Sequence, residues 1–168
     1  MQISQLQVAN DSIQDRLVLR IATQSNEEIR IHITRRFLRE LWPYLTTMLS
    51  GHLASHPSFS NANDVGNESP TTFDQPFHEK NPSFPLGSNP LLASEATLET
   101  AGEGLARLIL REGRERSCNL SLNAELLQAL CAMLRAASEQ ANWNIALDYK
   151  VALSPATSSN TAGKRLLH

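Results

Sequence analysis

The chain has 168 residues, a formal net charge of −2 and 19% charged side chains, the profile of an ordinary soluble protein with space for one medium domain or two small ones. That balance excludes a polybasic nucleic-acid arm and an acidic tail, so any anion site must be a local patch. No apolar run approaches the roughly 20 residues of a membrane span, and "MQISQLQVANDS" lacks a basic start followed by an apolar core, so the sequence predicts no membrane association, no signal peptide and a cytoplasmic protein.

"QISQLQV" near the N-terminus has a weak strand pattern. In "RLVLRIA" (16–22) Leu17, Leu19 and Ile21 alternate, and in "EIRIHI" (28–33) Ile29, Ile31 and Ile33 do the same, which predicts two half-buried strands. The polar residues between them suit a hairpin. Thr34 stands at an N-cap position, and Phe37, Leu38, Leu41, Trp42, Leu45, Met48 and Leu49 follow at helical spacing up to Gly51. Pro43 lies inside this helix, where it removes a backbone bond, so a kink or break is expected at Trp42-Pro43.

Residues 54–90 hold six of the eight prolines and, among branched aliphatics, only Val65 and Leu86. Such a stretch buries too little apolar surface to offset its ordering entropy, and 54–92 is expected to be a disordered linker. Its aromatic residues Phe59, Phe73, Phe77 and Phe84 have two readings: docking groups for a partner or the protein's own surface, or apolar residues tolerated in a loose segment.

The same order then returns: "EATLETA" (95–101), a Gly102-Glu103-Gly104 turn, "LARLILRE" (105–112), "RSCNLSL" (116–122) and an Asn123-capped helix carrying Leu126, Leu127, Leu130, Met133, Leu134 and Ala137 on one face. Displaced by 89 residues, Leu19 meets Leu108, Ile31 meets Leu120, Thr34 meets Asn123 and Leu41 meets Leu130. This echo predicts a β-β-β-α unit used twice, although any strand, cap and helix in series shares part of the pattern. "WNIALDYKV" (143–151) alternates as a final strand able to close either sheet, bridge the units or pair with a second molecule, and the tail 153–168 is expected to be disordered.

The predicted architecture is therefore α+β. A first unit spans 1–53 and a second spans 93–152, with antiparallel sheets, a helix from each unit on one face and an extra C-terminal strand. The expected core is Leu19, Ile21, Ile31, Ile33, Leu41, Leu108, Leu110, Leu120, Leu127, Leu130, Leu134, Trp143, Ile145 and Leu147.

No phosphate-cradling glycine loop, nucleophile elbow or HExxH motif occurs, so neither catalytic residues nor a cofactor are expected. His52 and His56 have i, i+4 spacing without a third ligand nearby, and Cys118 and Cys131 fall on apolar positions without metal-ligand spacing. The pattern with most chemical content is basic. Arg16, Arg20, Arg30 and His32 share the polar face of the first hairpin, and Arg107 and Arg111 share that of the second. Arg35 and Arg36 occupy a helix's first turn, where the dipole disfavours cations. Such a face suits a phosphate backbone, or is a solvated surface paired with Glu28, Glu99 and Glu40. Two functions follow: a non-enzymatic protein-interaction module, self-associating or bound to another protein, and a single-stranded nucleic-acid binder.

"TRRFLRELWPYL" and "NAELLQALCAMLRAASEQANWNIAL" also make the chain resemble a group of uncharacterised bacterial proteins with an Arg-Arg-rich helix start, a Leu-Trp-Pro step and a helix ending before a Trp-containing strand. The resemblance spans both folded parts but not the linker. It implies a small bacterial protein without assigned activity, and it carries no catalytic residue over.

Overall fold

A computed structural model describes residues 2–53, 77 and 81–148. The order is β1 (Ile3–Asp11), β2 (Arg16–Thr23), β3 (Glu28–Thr34), α1 (Arg35–Ser50), β4 (Leu91–Leu92), β5 (Glu95–Thr100), β6 (Ala106–Glu112), β7 (Arg116–Leu122) and α2 (Ala124–Gln140). The fold is α+β, with one sheet ordered β1-β2-β3-β4 and a second ordered β5-β6-β7. All pairings are antiparallel except β3 with β4.

Alternation fixes the faces. Opposite Leu19 stand Val8 on β1 and Ile31 on β3, while Arg20 stands between Gln7 and Arg30. One face is therefore apolar and the other polar. In the second sheet Leu108 sits between Leu98 and Leu120, and Arg107 between Glu99 and Ser121. The helices begin where the caps place them: the Thr34 hydroxyl accepts from the Phe37 amide at 3.2 Å, and the Asn123 side chain accepts from Leu126 at 2.8 Å.

α1 runs from Arg35 to Ser50 through Pro43, so of the expected kink or break the break does not occur. Hydroxyls occupy the surrounding carbonyls: Thr46 donates to Trp42 O at 3.2 Å, and Thr47 donates to Pro43 O at 2.7 Å.

Two further expectations are corrected. The segment 54–92 is not linker throughout, because Leu91 and Leu92 pair with Ile31 and His32 as β4, and Glu27 bridges to Ser83. Leu91 supplies the apolar anchor and is fully buried. The stretch 143–151 forms no strand over its described part, 143–148. Asn142 and Asn144 adopt left-handed φ angles of 52° and 49°, which breaks the extended run that alternation suggested. Trp143 and Leu147 are buried nonetheless, and the segment spans between two anchors: Trp143 Nε1 donates to Asp15 Oδ1 at 2.6 Å, and Trp42 Nε1 donates to Asp148 O at 3.0 Å.

The buried core is one cluster running through both sheets and both helices. Of the expected core residues only Ile145 is partly rather than fully buried. The helices and sheets interlock: α2 packs against β1 and β2 of the first sheet, β7 of the second and α1, while α1 touches β3 and β5. The residues 153–168 lie outside the described chain.

Candidate functional site

The polar face of the first sheet is built around a carboxylate. Glu28, 1% exposed, accepts from Arg20 Nε at 2.8 Å and from Arg30 Nε at 2.6 Å. Burial pushes its carboxyl up, but the hydrogen bonds and positive charges of the two arginines together outweigh that and hold it below the ordinary carboxylate range. Arg20 also reaches Gln7 Oε1 at 3.4 Å. Both guanidinium groups are roofed by aromatic rings: Phe77 lies 4.1 Å from Arg20 Cζ, and Phe84 lies 5.0 Å from Arg30 Cζ. The protein's own residues therefore cover part of this face. Phe59 and Phe73 lie outside the described residues.

Beside this cluster Arg16 Nη1 is 3.3 Å from His32 Nδ1. His32 is held below its ordinary pKa by burial, then by the Arg16 charge, with Asp11 acting in the opposite sense. The neutral ring thus presents Nδ1 as acceptor to the guanidinium. Arg35 and Arg36 are exposed, and Arg36 Nε pairs with Glu40 Oε1 at 2.9 Å. Neither joins the Arg20–Glu28–Arg30 cluster.

On the second sheet Arg107 and Arg111 are exposed, opposite Glu99 and Glu95 across β5. No described aromatic ring covers them in the manner of Phe77 and Phe84. Eight candidate basic residues therefore fall into three groups: Arg20 with Arg30 around Glu28, Arg16 with His32, and the solvated Arg35, Arg36, Arg107 and Arg111.

A feature the sequence reading missed lies between α1 and β5. A groove of about 740 Å3 is lined by Phe37, Leu41, Pro43 and Tyr44 with the charged Arg39 and Glu40 on the helix, and by Ala96 and Leu98 with the polar Ser94 and Thr97 at the strand, and a neighbouring space of about 600 Å3 extends it past Met48 to His52 and Thr100. His52 Nε2 closes that end at 3.1 Å from both Gly102 O and Leu105 O. Tyr44 is 67% exposed, and five of the six β5 residues are exposed. The available signal was "EATLET" itself, whose inward positions are Ala96, Leu98 and Thr100. Ala96 and Thr100 are too small to fill the space that leucines would there.

Among the described residues no group of three or more His, Cys, Asp or Glu is arranged to hold a metal. Burial pushes the thiols of Cys118 and Cys131 up to about 11 and about 12, which leaves them protonated and unreactive. No described helix is long and apolar enough to cross a membrane. No family model matches the chain, and neither the curated proteins nor the solved structures contain a match to it.

Proposed function

We propose that this protein is a non-enzymatic protein-interaction module whose contact surface is the β5 edge with the adjoining α1 groove. The observation that carries the reading is the exposure of β5, all but Leu98, beside a mainly apolar groove. An edge strand left open in this way is a template for another strand. Ala96 and Leu98 give such a partner apolar surface as well as backbone bonds. The test compares wild-type protein with a Leu98→Lys, Tyr44→Ala double variant in a pull-down. A partner retained by wild type and lost by the variant supports the surface, and equal capture by both overturns it.

We read the two β-β-β-α runs as a structural repeat with exchanged helices. Each helix end reaches the other unit's first turn, His52 at Gly102 and Leu105, and Trp143 at Asp15. In this reading the helices share one face of the sheets, and the protected thiols suit a cytoplasmic protein.

A second reading, single-stranded nucleic-acid binding, draws on the rings of Phe77 and Phe84 beside Arg20 and Arg30, since aromatic and cationic groups together suit stacked bases. Glu28 counts against it by neutralising part of that charge. An amide NMR titration with oligothymidylate at low salt decides: shifts on Arg16, Arg20, Arg30 and His32 support this reading, and a silent face removes it.

A further inference from the structure

We infer that the occupant of the β5 edge is a second copy of the same chain, paired antiparallel about a two-fold axis at Leu98. This rests on the interaction reading above and gives it a partner.

The argument begins with backbone parity. The Ala101 amide donates to Leu105 O at 2.9 Å, and antiparallel pairing alternates from there. Glu95, Thr97 and Glu99 accordingly turn their peptide groups toward Arg111, Ile109 and Arg107, while those of Ala96, Leu98 and Thr100 point away from β6. With Leu98 opposite Leu98 of the second copy, Ala96 falls opposite Thr100 and Thr100 opposite Ala96. All three outward residues find partners, giving about six hydrogen bonds.

Charge selects the same register. Glu95 and Glu99 lie on the polar face of β5. In the Leu98-centred register Glu99 stands opposite Thr97 and Glu95 opposite Ala101, so no like charges meet. Sliding the axis to Thr97 sets Glu95 opposite Glu99, and sliding it to Glu99 sets two glutamates directly opposite, both of which are unfavourable. The apolar face agrees: the half-buried Leu98 side chains meet at the axis, above the grooves that Phe37, Leu41 and Tyr44 line. The other edge of this sheet offers no equivalent gain, because Cys118, Leu120 and Leu122 of β7 are already buried.

Light scattering and cysteine cross-linking on the full chain test the inference. Wild-type protein at about 0.1 mM is expected to be dimeric. Leu98→Cys is expected to form an intermolecular disulfide on mild oxidation, because opposed Cα atoms in a bonded pair lie about 5.5 Å apart, within disulfide range. Thr97→Cys is expected to stay unlinked, since its own copy lies two residues out of register. Cys118 and Cys131 are buried and do not compete. Leu98→Lys is expected to weaken dimerisation at least about tenfold by setting like charges opposite each other, with an unchanged circular dichroism spectrum.

A monomeric wild type with no Leu98→Cys cross-link overturns the self-pairing. In that event a pull-down partner lost by the Leu98→Lys, Tyr44→Ala variant keeps the interaction reading with a foreign strand on the same edge, and equal capture ends both. A dimer that cross-links at Thr97→Cys and not at Leu98→Cys overturns the register.

Discussion

The two sheets carry the same alternating arginines and meet different fates. On the first, Arg20 and Arg30 clamp a buried Glu28 and are roofed by Phe77 and Phe84, and β1 lies under α2 with Leu6 buried. On the second, Arg107 and Arg111 stand in solvent, and β5 is exposed for nearly its whole length. The residues that follow each helix help to make the difference. β4 and the bridge at Ser83 join the first sheet, and 143–148 is anchored at Asp15 and Trp42. The arginine-bearing face that attracts notice in the sequence is thus partly covered from within the chain, and the plainer strand is the more exposed one.

The largest test of this asymmetry concerns the covering segment. Trp143 is 2% exposed and its indole donates to Asp15, so Trp143→Ala is expected to cost about 3–5 kcal/mol, the range for removing a buried aromatic. Leu98→Ala, at the one half-buried position of the exposed strand β5, is expected to cost about 1 kcal/mol, since most of its surface gain is already forgone. Urea unfolding measures both, and comparable losses would show that the second sheet is as well packed as the first.

Next comes the carboxylate. Glu28→Gln is expected to cost about 2–3 kcal/mol, the scale of hydrogen bonds to charged groups, and Glu99→Gln less than about 0.5 kcal/mol, as for exposed positions. The same contrast sets the acid limb of stability. Because the folded pKa of Glu28 lies below its ordinary 4.5, its contribution is complete above that value and is lost as pH falls from about 4.5 through the lower folded value. Melting temperatures between neutral pH and pH 3 should therefore fall less steeply in Glu28→Gln than in wild type.

Much of the fold was legible because each signal was local. Alternation located β2, β3, β6 and β7, and Thr34 and Asn123 located the helix starts. What failed was decided by distant partners. Leu91 becomes a strand because β3 has a free edge, a fact not carried by residues 81–92. "WNIALDYKV" alternates as a strand should, but over its described part, 143–148, Asn144 and the preceding Asn142 turn left-handed and two indoles fix the path instead. The site suffered most. Both the arginines and the phenylalanines were visible in sequence, but their pairing spans 54 or more residues, and the groove exists only because α1 lies beside the small side chains of β5.

The roof itself is a smaller term. Phe84→Ala removes a ring 5.0 Å from the Arg30 guanidinium and is expected to cost about 1 kcal/mol, a cation–π contact at a partly exposed site. Arg30 Nε should then exchange its proton faster in NMR. Unchanged exchange would mean that Glu28 alone shields the cluster.

The finest probe is His32, because no histidine stands on β5, β6 or β7 of the second sheet. Burial first and the Arg16 charge second hold His32 below 6.5, against Asp11. The folded protein therefore binds fewer protons than the unfolded chain just below that pH, and this contribution to stability is full above 6.5 and declines as pH falls toward the folded value. NMR should find the His32 midpoint below 6.5. Arg16→Gln should move it upward without restoring 6.5, since burial is the larger cause. A midpoint at or above 6.5 in wild type would mean that the face is open to water. The same titration in the presence of oligothymidylate separates the two functional readings: phosphates bound beside Arg16 would stabilise the imidazolium and raise the midpoint, whereas a strand docked at Leu98 on the other sheet would leave it where it was.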